Sequence, residues 1–476
     1  MTDPTDLTAP AEELDPRSPA IGFTAASVKR RFLRGSAWQL SGKVIATVLG
    51  LLINALIARL LAPSEVGAFF TVFTMVAIGS TLAQLGLDRA LVRLVSASIA
   101  IGDPGKARRV IEKTFLVGGA AAVVLAVVLL LGLGSWLATN VLHAPLVVAV
   151  IPIAAGWLIA TALRSLVVET FRGMQRFNLA TLFDVLLVDV LVASIVSALW
   201  LLHTEPTLAQ IVTVFTVVSA VVLLVGAALL FGRVRELPRG GDAPSREIFA
   251  IAWPLLITNV ATYLLGTGID VLVLGGFRAQ SEVAVYAAAS RLMFLIVTPF
   301  LVFQGVVAPI VAELAAKGRI RQLERTLRAV ATLAGIPAFV ALMVFLVFGS
   351  SILGFLYGPF YRQGATMLFV LSLGRLVAVY TGSCAVTLMM TGHQRAVMYI
   401  TVGFGMASLG AGIALAGPFG GVGVAVATAT FASLQNLTTM YAAKRLVGVR
   451  TQAYLSLRPL VAFLRKDGDA ADGEPE

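Results

Sequence analysis

The chain is written as long apolar runs separated by short polar breaks. Residues 115–137, 146–163, 185–202 and 333–348 are among the runs, and only Asp189 brings a charge into them. About 20 consecutive apolar residues are what a helix needs to cross a hydrocarbon core. The runs do not alternate apolar with polar at every second position, which excludes a porin-like barrel. The pattern predicts an all-α polytopic protein with about twelve spans, near 36–60, 66–88, 114–138, 146–168, 179–202 and 208–231, then 248–274, 283–309, 329–352, 364–389, 396–416 and 421–443. Its breaks carry turn chemistry, as in His203-Thr204-Glu205-Pro206-Thr207 and Gly417-Pro418-Phe419-Gly420.

Composition strengthens the membrane reading. Of the 476 residues, 58% are hydrophobic and 13% charged, against about 25% charged in a soluble domain. Residues 1–30 lack an apolar leader core and read, like residues 451–476, as a disordered cytoplasmic tail. Between them the expectation is a six-helix bundle over 31–235, a linker over 236–247 and a second bundle over 248–450.

The net charge of +11 is a matter of placement. Lys29, Arg30, Arg31, Arg108, Arg109, Arg172, Arg176, Arg235, Arg319, Arg321, Arg325 and Lys444 fall in one set of loops and tails, while the opposite set holds Arg59, Arg278 and Arg362. The positive-inside rule then puts both termini in the cytoplasm and the turn "APSEVG" outside, in a multi-pass protein of the inner membrane. The charge needs anionic lipid, and no nucleic acid, as its partner. No G-x-x-x-x-G-K-[ST] loop or large acid-bearing loop is present, so transport is expected and covalent chemistry is not. The lone Cys384 and the scattered His143, His203 and His393 build no metal site, and no cofactor is expected.

Order and spacing also repeat. Ser64-Glu65-Val66 returns as Ser281-Glu282-Val283, Gly105-Lys106-Ala107-Arg108 as Gly318-Arg319-Ile320-Arg321, and Gly173-Met174-Gln175-Arg176 as Gly392-His393-Gln394-Arg395. Each pair falls in an equivalent loop of its half. Six spans per half make the repeat parallel, the architecture of two-bundle secondary transporters with substrate between the bundles. Glu65 and Glu282 read as helix-start charges.

These residues carry a resemblance. Arg59-Leu60-Leu61-Ala62-Pro63-Ser64-Glu65-Val66-Gly67, followed by Gly86-Leu87-Asp88, resembles the first outer turn and following boundary of the polysaccharide flippases, with Ala62 in place of the usual Gly. These flippases belong to the multidrug/oligosaccharidyl-lipid/polysaccharide exporter superfamily. Asp270 and the segment with Tyr286, Ala289 and Arg291 are similar to its span 7–8 junction, and Phe171 to Ala180 to its loop before span 5. The resemblance implies a MATE-like fold with a central cavity. It also implies movement of a polyprenyl-diphosphate-linked oligosaccharide between leaflets for polysaccharide, O-antigen or exopolysaccharide synthesis, beside a polymerase and chain-length machinery. An ion-coupled multidrug antiporter, a lipid II flippase and a non-transporting scaffold for polysaccharide assembly are the alternatives.

Ionisable residues inside spans are costly and default to function. Arg375 and Asp189 sit near mid-span. Arg375 is either a diphosphate contact, for which a guanidinium fork is suited, or half of a structural ion pair. Arg291 and Asp270 are expected to pair near the outer side. Lys43 and Arg164 either receive the head group or snorkel to the interface. Asn259 and Tyr263, four apart on one helix face, are candidates for a sugar-lining surface.

Overall fold

The computed structural model describes residues 42, 45–238, 240, 244–263, 269–316 and 319–454. Lys43, the side chains of Asn259 and Tyr263, and both distal tails lie outside the described residues. All regular structure among the described residues is helical, and nine helices there are long and apolar enough to cross a membrane.

The first half comprises α1 (Ile45–Leu60), α2 (Pro63–Ala83), α3 (Leu87–Ala100), α4 (Pro104–Val141), α5 (Ile151–Gly173), α6 (Phe177–Leu201) and α7 (Leu208–Glu236). The second comprises α8 (Ser245–Tyr263), α9 (Ile269–Phe277), α10 (Gln280–Ala316), α11 (Ile320–Tyr357), α12 (Ala365–Thr381), α13 (Cys384–Met390) and α14 (Gln394–Val447). α5 packs against α2, α3, α4 and α7, whereas α10, α11, α12 and α14 pack on one another; α2 and α10 form the principal joint between the two groups.

Local chemistry starts and stops these helices. Pro63 occupies the first turn of α2, where its missing N–H costs nothing, and Glu65 accepts from the Ala62 N–H at 3.2 Å. Asp103 caps α4 through the Lys106 N–H at 2.8 Å, and Thr207 and Gln210 form a reciprocal capping box on α7. α2 stops at Leu85 and Gly86, both left-handed at φ +52° and +72°. Span 2 therefore ends earlier than periodicity suggests, and α3 is a separate helix with a half-polar face.

α14 contains spans 11 and 12. Its helical run is interrupted at Gly420, where φ is +58°, close to the break expected at residues 417–420. A single cation and a single carboxylate hold that bend. Arg278 donates to the carbonyls of Ala416 at 3.2 Å and Gly417 at 2.5 Å, and Glu282 accepts from the Gly421 N–H at 2.6 Å. The arrangement is what helix ends require: a cation on the last carbonyls of one segment and a carboxylate on the first amides of the next. Glu282 thus does more than decorate the start of α10.

Burial separates inner from outer helices. Two thirds of the apolar window of α2 is buried, against 17% for α4, and Leu131 of α4 is 82% exposed. A continuous apolar surface of this kind needs hydrocarbon around it. The chain is a multi-pass membrane protein.

Candidate functional site

Polar side chains inside the helices gather at three places. The first is in the second half, where α9, α10, α12 and α14 meet. Asp270 of α9 accepts from the Tyr286 hydroxyl at 3.0 Å and the Thr428 hydroxyl at 3.1 Å through one oxygen, Oδ2. Arg375 of α12 acts on both Asp270 and Tyr286 electrostatically and lies 5.7 Å from the Phe294 ring centroid. Gly374 explains the closeness: a Cβ there would stand 2.8 Å from the Ala429 Cα. Only glycine lets α14 approach α12 so nearly, with Ala429, the neighbour of Thr428, set against it. Tyr286 is buried, while Asp270 and Arg375 are half-buried.

The second cluster joins α5 to α6. Between Leu182 and Leu186, α6 widens into a π-helical turn, a local irregularity often found at functional positions. Arg164 reaches across to this turn, donating to the carbonyls of Phe183 at 2.9 Å and of Asp184. Its charge is also balanced by the Asp184 and Asp189 carboxylates. Arg172 adds an ion pair to Glu169 and another to Asp184 at 2.5 Å, and Ser165 donates to Gln84 at 3.3 Å. Arg164 is therefore held inside the protein by α6, where snorkelling would have turned it to the interface. Two arginines face three carboxylates here, so the cluster carries formal negative charge.

The third place is the joint at the end bearing the Ser-Glu-Val turns. Gln280, 8% exposed, uses its whole amide across the joint: Nε2 donates to the Leu142 carbonyl at 3.0 Å, and Oε1 accepts from the Thr71 hydroxyl at 3.0 Å. A Cβ on Gly67 would meet the Gln280 carbonyl oxygen at 1.8 Å. Arg59 crosses from α1 to the last turn of α11, donating to Leu356 O at 3.0 Å and to Phe355 O. Arg291 of α10 faces α2, with its guanidinium 4.9 Å from the Phe73 centroid and 5.7 Å from that of Phe70.

At the opposite, basic end, α8 leans on α3. A Cβ on Gly86 would lie 2.2 Å from Ala252 O, and Lys106 pairs with Glu247 at 3.1 Å.

The structure therefore brings Asp270 together with Arg375, and places Arg291 on aromatic faces of the other half. It brings Arg164 and Asp189 into one cluster. Sequence reasoning does not single out Thr428, Glu169 or Gln280, and it reads Gly67 only as the end of a family turn. The Glu169–Arg172 spacing of three, on one helix face, is the signal that could have pointed to the second cluster. Among the described residues no group of three His, Cys, Asp or Glu side chains could hold a metal ion.

By shape the chain is similar to a multidrug resistance MATE family transporter of the MOP superfamily in its inward-facing conformation. Identity is 14%, the match covers 87% of this chain and 98% of that one, and the TM-score is 0.73. An outward-facing conformation of such a transporter gives 14% identity, 88% and 95% coverage and a TM-score of 0.62. The lipid II flippase MurJ, in an inward closed conformation, gives 12% identity, 88% coverage of each chain and a TM-score of 0.68. A search of curated proteins finds no match. The profile of the family described as "Polysaccharide biosynthesis protein" matches residues 32–315, more than half of the chain. The chain belongs to that polysaccharide biosynthesis family and has the fold of the MOP-superfamily transporters.

Proposed function

We propose that this protein is a flippase that carries a polyprenyl-diphosphate-linked oligosaccharide from the inner to the outer leaflet of the cytoplasmic membrane. The observation that carries the reading is Arg375: a half-buried guanidinium within an apolar span, at the meeting of four helices. Its family membership points to the same class of substrate. A planar guanidinium offers paired charge-assisted hydrogen bonds to phosphate oxygens, while Tyr286 and Thr428 keep Asp270 in place as its counter-charge. The diphosphate displaces part of the Asp270 interaction when it arrives, and Asp270 recovers Arg375 when it leaves. No bond is made or broken.

In this reading both termini are cytoplasmic and the Ser-Glu-Val end faces outward. The joint of Gly67, Thr71, Gln280 and Arg59 is then an outer seal, closed in this structure. The two groups of helices act as bundles that rock about it, and a polysaccharide polymerase and chain-length machinery receive the product outside.

A second reading rests on the carboxylate excess around Asp184, Asp189 and Glu169. An ion-coupled antiporter would use that cluster to take up and release a cation.

One experiment separates the two. Purified protein in liposomes should move a fluorescent lipid-linked sugar, and Arg375→Ala should abolish most of that movement at a temperature where its helix content matches that of the wild type. Movement of a cationic drug under an ion gradient, with none of the lipid, overturns the flippase reading.

A further inference from the structure

The chain does not leave the helices at the end of α14. Gly448, at φ +75°, takes the left-handed position after the helix, and the residues after it return along the protein as an extended strap. Burial alternates along it with a period of two. Val449, Thr451 and Ala453 point inward, while Arg450, Gln452 and Tyr454 are more open.

The strap lies where α12 gives way to α13. Gly382, at φ +74°, breaks that span, and the last carbonyls of α12 lose their partners within the helix. The strap replaces them. The Ala453 N–H donates to Tyr380 O at 2.9 Å, and the Thr451 hydroxyl donates to Thr381 O at 2.7 Å. Its other edge is fixed to α11: the Tyr454 N–H donates to Thr332 Oγ1 at 2.8 Å, and Arg328 Nε donates to Gln452 O at 3.2 Å. The Arg328 guanidinium also stacks 4.1 Å from the Tyr454 ring centroid. The fit leaves no slack, since a Cβ on Gly382 would lie 2.3 Å from Thr451 O. Arg375 stands on the same helix, less than two turns before Thr381.

We infer that residues 449–454 are a clasp that holds the α12–α13 hinge and so positions Arg375 against Asp270, Tyr286 and Thr428. Thr451 is the positioning residue. Its hydroxyl, in a fully buried side chain, closes the hinge directly, and it needs no contact with the transported molecule. The positioning half of the inference rests on the reading of Arg375 as a diphosphate contact; the clasp half does not.

The test uses the full chain in lipid nanodiscs, with undecaprenyl diphosphate alone as the probe. Thr451→Val removes the hydroxyl at nearly constant volume, and Thr451→Ser restores it. Thr451→Val is expected to raise amide exchange over residues 380–390 by about tenfold and to weaken binding of the probe by a similar factor. Thr451→Ser should return both to the wild-type values. Unchanged exchange in Thr451→Val overturns the clasp. Raised exchange with unchanged binding overturns the positioning role. If Thr451→Val does not fold, Arg328→Gln loosens the strap from the α11 side and is judged by the same two outcomes. Arg375→Ala is the separate check on the site: wild-type binding in that variant defeats the diphosphate reading, while the exchange measurement still decides the clasp.

Discussion

Among the described glycines, Gly67 has the least room for a side chain: a Cβ there would stand 1.8 Å from the Gln280 carbonyl oxygen, in the other half of the protein. That atom is backbone, so it cannot swing aside as a side chain would. Gly67 lies one turn into α2 and Gln280 begins α10, helices that occupy equivalent places in the repeat. Position 284, which corresponds to Gly67, carries Ala, and position 63, which corresponds to Gln280, carries Pro. The joint thus uses the places where the two copies of the turn differ.

With the Ser-Glu-Val end outside, as proposed, Gly67→Leu should hold that side open. Overpacking of this kind costs about 1–3 kcal/mol, which is about a five- to 150-fold change in a two-state equilibrium. The measurement is labelling of Ala144→Cys, a fully buried position two residues from Leu142 that makes none of the bonds across the joint, by a membrane-impermeant maleimide, in a Cys384→Ser background that removes the single, buried native thiol. Labelling from outside should rise in Gly67→Leu. If it stays at the level of the parent, this contact does not control the seal.

Gln280→Ala should open the same side by a different route. The substitution deletes both hydrogen bonds across the joint and leaves the Leu142 carbonyl without its donor. A buried polar group stripped of its partner costs about 1–3 kcal/mol. Because Gly67 and Gln280 touch, their effects should not add. The double variant is expected to label little faster than the stronger single variant, and a simple product of the two rates would show that the contacts act independently.

Much of the fold is legible from apolar spacing, and the reason is physical: a span must be long, apolar and punctuated. The break near Gly417–Gly420 and the roles of Pro63 and Glu65 at the start of α2 can be read this way. What escapes the sequence depends on which helix stands next to which. Nothing local says that Arg278 and Glu282 reach the bend in α14, or that Thr428 comes to Asp270. Nor does the polar segment after Gly448 announce that its alternating positions will cap α12. The arginines show the same limit. Their depth in a span is readable, and so Arg375 and Arg164 are visible as unusual; their partners are set by packing.

Glu282→Ala should destabilise the protein through α14 and spare the charged clusters. It removes the acceptor of the Gly421 N–H and the 3.9 Å carboxylate partner of Arg278, at a cost of about 1–3 kcal/mol. Glu282→Gln keeps an acceptor oxygen and should recover part of the loss. Thermal unfolding in detergent, followed by helix content, checks the order wild type, Gln, Ala. An Ala variant as stable as wild type would show that the bend is held by Arg278 and packing alone.

The Asp270–Arg375 relationship can be resolved by a double-mutant cycle. Asp270 and Arg375 attract one another in a half-buried setting, and removing one leaves the other uncompensated, at a cost of up to about 3–5 kcal/mol, the range seen for buried pairs, whereas removing both is far milder. Stability should therefore fall in Asp270→Ala and in Arg375→Ala, and recover in the double variant. Transport separates the two roles open to Arg375. If its guanidinium only balances Asp270, the double variant regains lipid movement along with stability. If it also grips the diphosphate, the double variant is stable and still fails to move the lipid-linked sugar. The second outcome is expected, because Asp270 already holds hydrogen bonds from Tyr286 and Thr428, while the half-buried Arg375, 5.7 Å from the Phe294 ring centroid, carries the planar fork of donors that suits a phosphate.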